Sequence, residues 1–369
     1  MAAPVHVQKE PFLRITRRTN LRWWQSWLIR LAAVVLALVV CAVVIYGIVH
    51  MNPLRVYGAM WDGAFGTPKR SWVTIRDAMM LLCIGVGLAP AFKMRFWNIG
   101  AEGQILVGGI VTAACMIYLG NKMPTPLLLL VMLIASIVAG ALWGIIPALF
   151  KARYGTNETL FTLMMNYVAI QLTSFFVAKW EHPAGSNSVG IINSGTKGGW
   201  FPPIFGQQYT LNVVLVLLLV VGMYLYMQYS KHGYEIAVVG ESENTAKYAG
   251  INVRKVILRT MCVSGAICGI SGFMAVAGSS HTISTTTAGG RGFTAIIVAW
   301  LAKFNTFVMV LIAFLLIFLE RGASQIASQY NLNEYASEIL VGIILFFILG
   351  SEFFINYRLI FRERKGDAA

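Results

Sequence analysis

Three polar clusters interrupt long apolar runs in this chain, and each holds residue types able to do chemistry. The first is FWNIGAEGQ, residues 96–104, with Glu102 at the start of an apolar stretch. A carboxylate there is costly unless it faces a cavity or a partner. Asn98, Gly100, Gly103 and Gln104 add polar side chains and exposed backbone, as where a helix is interrupted beside a solute path. The same composition suits a capping cluster near the interface, with Glu102 in a first turn favoured by the helix dipole.

The second cluster is GTNETLFTLMMN, residues 155–166. Thr156 or Asn157 can cap a helix whose first turn holds Glu158 and Thr159. Asn166 lies on much the same face eight residues later, and its amide needs either a neighbouring helix or a solute. The third is TTTAGGRGFTA, residues 285–295, in which paired glycines precede Arg291 and Phe293. It either offers N–H groups, hydroxyls and an aromatic face to a polar ring-bearing solute, or is a flexible external turn. Arg291 either meets that solute or pairs with a buried carboxylate.

Catalytic chemistry has no such support. The five histidines show no metal spacing, no Ser or Cys has an evident base beside it, and GxxxxGK[ST] is absent. The five cysteines sit in apolar runs, so neither a disulfide framework nor a metal site is expected. We read no cofactor and no enzyme activity, and any work driven by ATP requires another subunit.

The elements that must position these clusters are membrane helices. With 57% hydrophobic and 12% charged residues, and a mean hydropathy of +0.69, the chain is too apolar for a soluble domain. We expect an all-α polytopic membrane protein. Its apolar runs place spans at 31–49, 71–92, 97–119, 127–150, 157–178, 211–229, 256–279, 306–319 and 337–354. A tenth piece, 293–302, is either a short span or half of a broken helix. Residues 51–70 read as a polar loop, and 179–209, rich in Gly, Ser, Asn and Pro, as a long external segment. Trp23, Trp24 and Trp27 fall at the first interface.

The net charge of +14 follows from topology rather than from nucleic-acid binding. With ten crossings and both termini inside, 20 of the 29 Lys/Arg lie on the cytoplasmic side and nine on the other. Residues 1–30 and 356–369 are then basic cytoplasmic segments flanking a transmembrane domain at 31–355. The cytoplasmic stretch 231–259 is the one long polar interruption between the apolar halves. Glu241 to Ala249 reads there as a short exposed helix, with Gly240 as the lead-in turn and Gly250 as the stop.

NIGAEGQ at 98–104, NETLFTLMMNY at 157–167 and GYEIAVVGESENTAKYAGINVRK at 233–255 together resemble the permease subunits of bacterial ABC importers of the ribose and branched-chain amino acid type. GRGFTAIIVAWL at 290–301 supports the likeness, which covers about 50–355 and is nearest to the nucleoside and simple-sugar branch. The resemblance implies an inverted-repeat-like architecture of about ten helices in a bacterial inner membrane. It implies a second permease, giving a heterodimer, a cytoplasmic ATP-binding subunit and an extracytoplasmic substrate-binding protein. Glu241, Asn244, Thr245, Ala246, Tyr248, Ala249, Gly250 and Ile251 would dock on the ATPase, Ala246 by its small size. Asn98, Glu102, Gln104, Asn166, Gly290, Arg291 and Phe293 would lie on or near a path for a nucleoside, with simple sugars or riboflavin as alternatives. One departure is WLAK at 300–303, where the family often has a Leu-Gly pair. The rival class is an ion-coupled carrier using Glu102, Glu158 and Glu320.

Overall fold

A computed structural model of the chain describes residues 13–18, 22–49, 52–331 and 334–361. Lys9, Arg362, Arg364 and Lys365, assigned above to the basic termini, lie outside them, as do the side chains of Trp23 and Trp27. The described elements run β1 (Leu13–Arg17), α1 (Trp23–Val49), α2 (Pro53–Phe65), α3 (Pro68–Lys93), α4 (Ala101–Leu119), α5 (Thr125–Tyr154), α6 (Glu158–Trp180) and α7 (Thr210–Tyr229). Then come α8 (Lys231–Glu241), α9 (Glu243–Tyr248), α10 (Val253–Ala275) with a π-helical turn at Val276–Ser280, α11 (Arg291–Leu301), α12 (Thr306–Tyr330), α13 (Glu334–Asn356) and β2 (Tyr357–Phe361).

Nine helices among the described residues are long and apolar enough to cross a membrane. They correspond to the nine long runs of the sequence. The tenth piece is α11, whose 11 residues reach about 16 Å, roughly half of a hydrocarbon core. Chain geometry explains the starts and stops. Thr67, Asn157, Ser230, Ser242 and Asn252 each accept a backbone N–H in the first turn that follows, and Gly155, at φ 66°, ends α5.

The chain forms two compact units, residues 65–318 and residues 1–64 with 319–369. In the larger, α10 packs on α3, α4 and α5. The contact between α5 and α10 is made of glycine: a Cβ on Gly265 would run into the Gly140 carbonyl, and one on Gly269 into that of Ser136. Gly108 of α4 meets the Gly269 backbone in the same way. Such backbone-to-backbone approach is how helices associate where lipid removes the hydrophobic driving force.

In the smaller unit α1 and α13 run antiparallel, with Arg30 ion-paired to Glu352 at 2.6 Å and Cys41 beside the Leu340 carbonyl. Beyond their ends β1 pairs with β2, from Arg17 opposite Tyr357 to Leu13 opposite Phe361. Two expectations fail. Residues 51–70 are no polar loop, because Asn52 caps α2 through Leu54 N–H, and Val56, Ala59, Met60 and Ala64 give that helix a buried stripe. Gly240 is no lead-in turn either. It lies inside α8, where a Cβ would strike the Lys93 carbonyl, and the chain breaks two residues later at Ser242.

Gly269→Leu should therefore cost the ~3 kcal/mol or more of severe overpacking, whereas Gly222→Leu, on an open face of α7, should cost little. Detergent-solubilised melting of both variants checks this, and equal melting would contradict the glycine contact.

Candidate functional site

The segment that precedes α4 is held open by side chains. Residues 97–100 are non-helical, so the third span starts at Ala101 rather than near Trp97. Asn98 is fully buried; its Oδ1 accepts the Gly100 N–H at 3.0 Å and its Nδ2 donates to Ser264 Oγ on α10 at 3.1 Å. Gln104 lies 3.4 Å from the same amide. From α6, Thr162 accepts the Ile99 N–H, and one turn later Asn166 accepts the Gly103 N–H and donates to the Ile99 carbonyl, both at 2.9 Å. The amide of Asn166 thus bridges α6 to the interrupted segment and has both its oxygen and its nitrogen engaged.

Glu102 leaves that segment and reaches α11. Its Oε1 accepts the Gly290 N–H at 2.7 Å and its Oε2 the Gly292 N–H at 2.9 Å. These are orphan amides of a helix start, where a carboxylate is favoured both by hydrogen bonding and by the dipole. The two glycines permit it differently. Gly290 has φ 72°, a left-handed conformation, and a Cβ on Gly292 would lie 2.6 Å from Glu102 N. α11 then follows the second half of α3, with Val298 against Gly85 and Trp300 edge-on to Phe92.

Arg291 points from this helix start to Asp77 in α3, 3.1 Å away. Asp77 is 1% exposed and also pairs with Arg76 at 2.8 Å, whose guanidinium lies over the Tyr209 ring. Arg291 thus takes the structural option, a buried ion pair. Phe293, 44% exposed, and the exposed Thr285, Thr286 and Gly289 are the groups of the turn that face outward.

At the other end, α8 and α9 sit on an apolar cluster of Ile236, Val239, Ala246, Val253 and Val256 that also includes Ala91, Met94 and Phe96. Ala246 is fully buried, so its small size serves packing within the chain. Glu241, Asn244, Thr245, Tyr248, Ala249 and Gly250 are exposed, Tyr248 at 94%, and Ile251 is half-buried. Gly250, at φ 75°, ends α9 through its N–H to the Lys247 carbonyl, the stop read from the sequence.

Residues 73–349 match the family described as "Branched-chain amino acid transport system / permease component". The chain belongs to that permease family. It is similar to the guanosine ABC transporter permease protein NupP of Bacillus subtilis, 33% identical over 80% of this chain and 85% of that one. It is also similar to the glucose ABC transporter permease protein TsgB13 of Haloferax volcanii, at 28% over 97% of this chain and 96% of that one. A second guanosine permease protein of Bacillus subtilis, NupQ, is 24% identical over 60% of this chain and 72% of its own length.

The chain is thus a multi-pass membrane subunit of an ABC transporter, not an ion-coupled carrier. Two of the three carboxylates on which a carrier would rely, Glu102 and Glu158, fit that result. Glu102 caps α11, and Glu158, in the turn capped by Asn157, is ion-paired with Lys151 at 2.8 Å. Sequence reasoning passed over Asp77, although an Asp in the middle of an apolar run is itself a signal. Thr162 and Ser264 were not legible, since hydroxyls in apolar helices are common and their partners lie more than 60 residues away in sequence.

Beyond the π-helical turn of the permease, His281 stacks on Trp200 with ring centroids 3.8 Å apart, and its carbonyl accepts the Ile192 N–H. It is buried, and its Nδ1 has no hydrogen-bond partner. Burial pushes its pKa below the ordinary 6.5. The folded form therefore holds the proton less tightly than an unfolded chain, so stability is full above 6.5 and falls as the pH drops below it.

Two measurements follow. Glu102→Ala should strand the buried Gly292 N–H, at about 1–3 kcal/mol, and cost less at the more exposed Gly290 N–H, and Glu102→Gln, which keeps one acceptor, should lose less. Identical melting of all three forms would remove Glu102 from the cap. Acidification below 6.5 should lower the protection factor of the Ile192 amide, its exchange taken relative to the intrinsic rate at each pH, and His281→Gln should abolish that loss of protection.

Proposed function

We propose that this permease forms the translocation path of a nucleoside importer, with the solute passing beside the start of α11. The identity to NupP, at 33% over 80% of the chain, is the observation that carries the solute class. Asn98, Glu102, Gln104 and Asn166 build the wall of that path by holding the α4 and α11 starts in place, while Gly290, Arg291 and Phe293 form its rim. Exposed hydroxyls beside an aromatic face suit a ribose joined to a planar base. A simple sugar is the second reading, supported by the 97% of the chain that aligns with TsgB13.

The partners follow from what the chain lacks. With no nucleotide-binding motif, it takes its energy from a cytoplasmic ATP-binding subunit, which hydrolyses the ATP, and its solute from an extracytoplasmic binding protein. A second permease completes a heterodimer, as the separately named NupP and NupQ of one organism support. The transmembrane domain, 31–355, lies in a bacterial inner membrane with both termini cytoplasmic. Pairing of β1 with β2 supports an even number of crossings, with residues 282–301 crossing as a non-helical half followed by α11. The outward residues from Glu241, at the end of α8, through α9 to Gly250 dock on the ATPase, and Ala246 and Ile251 seat α9 on the cluster beneath.

Uptake of labelled guanosine by cells carrying the full transporter should be competed by other nucleosides and not by glucose or riboflavin. Competition by glucose alone would favour the sugar reading. Tyr248→Ala should reduce ATPase co-purification and uptake several-fold while the protein stays folded, whereas Ala246→Glu should lose folded protein. Normal uptake by Tyr248→Ala would overturn the docking face.

A further inference from the structure

A recess of about 370 Å³ opens between α8, the end of α9 and the first turns of α10. Lys231, Lys255 and Arg259 line it with one carboxylate, Glu235, and none of the three cations is ion-paired among the described residues. The recess therefore carries a net charge of about +2 from its four ionisable walls. Its place along the chain is the membrane boundary. Lys231 comes two residues after the α7 span ends at Tyr229, and Lys255 and Arg259 lie in the first two turns of the span that starts at Val253. Arg259 stands about 9 Å along that span, by the helical rise over six residues.

A cation at that depth is costly unless it snorkels to, or meets, an anion. Two exposed tyrosines, Tyr229 and Tyr234, mark the headgroup level where such rings collect, and Val256 gives the recess an apolar wall. Basic pockets between membrane helices at this level suit phosphate headgroups. We propose that this recess binds the phosphate of an anionic lipid, of the phosphatidylglycerol class, with the headgroup against Lys231, Lys255 and Arg259 and the acyl chains along the outer face of α7 and α10. The bound lipid then borders the proposed docking surface, since residues 249–252, which close α9, form part of the same wall.

The test uses the full-length protein in nanodiscs of phosphatidylethanolamine with phosphatidylglycerol, delipidated and weighed by native mass spectrometry. Wild type should retain phosphatidylglycerol, Lys255→Ala/Arg259→Ala should lose it roughly tenfold or more, and Glu235→Gln, which removes the opposing charge, should retain more. Melting temperature should rise in phosphatidylglycerol over phosphatidylcholine discs for wild type and not for the double variant. Equal retention by all three proteins would overturn the proposal. So would stabilisation by inorganic phosphate alone equal to that by the lipid, which would mean a soluble anion. Loss of ATPase association in the double variant with lipid retention unchanged would assign the recess to an acidic partner surface, and would overturn it as well.

Discussion

One carboxylate closes the structure of the candidate path. Glu102 receives two amides from the start of α11, a helix of 11 residues too short to span a hydrocarbon core by itself. The first amides of a helix have no partner within it, so a carboxylate brought to them by another segment fixes where the helix begins. Everything around the carboxylate is arranged to bring it there. Asn98, Thr162 and Asn166 keep the backbone before α4 unwound, so that Glu102 falls in its first turn, and the absence of a Cβ at Gly292 lets α11 come close enough.

The clamp joins two packed bodies. The α4, α5 and α10 helices meet backbone to backbone through Gly108, Gly140, Gly265 and Gly269, which brings them close. α11 is attached at its start by hydrogen bonds and one ion pair, and along its length Val298 packs on Gly85 while Trp300 stacks on Trp97. The cluster beneath α8 and α9 includes Met94 and Phe96, and Phe96 lies two residues before Asn98. α9, the unwound segment and the start of α11 are therefore neighbours in one packed series, and a displacement of α9 has a physical route to Glu102.

The class of fold and most of its spans were legible in the sequence, because lipid imposes a composition that runs of 18 or more apolar residues reveal. The interruption at 97–100 was legible only as one of two readings, since its polar and glycine residues suit an unwound segment or a capping cluster alike, and the apolar run places the start of the span near Trp97. Which of two roles each polar residue takes was not legible. Glu102 at a helix start read equally as a cap of its own helix or as a path residue, and it caps a different helix 188 residues away. Gly240 read as a turn because local rules know only local contacts, and the Lys93 carbonyl that requires it is far off in the chain. The α2 helix was hidden by its glycines, since a buried stripe of small residues is a weak periodic signal.

Ala246 points inward while its neighbours on α9 point out. The packing of this six-residue helix thereby rests on one residue and leaves the others outside the cluster. Substitutions at Asn244, Thr245, Lys247 and Tyr248 can accumulate without disturbing the packed cluster, so whatever meets this face can change while the chain still folds. The inward alanine fixes the helix in place, and the outward face is left open to diversify.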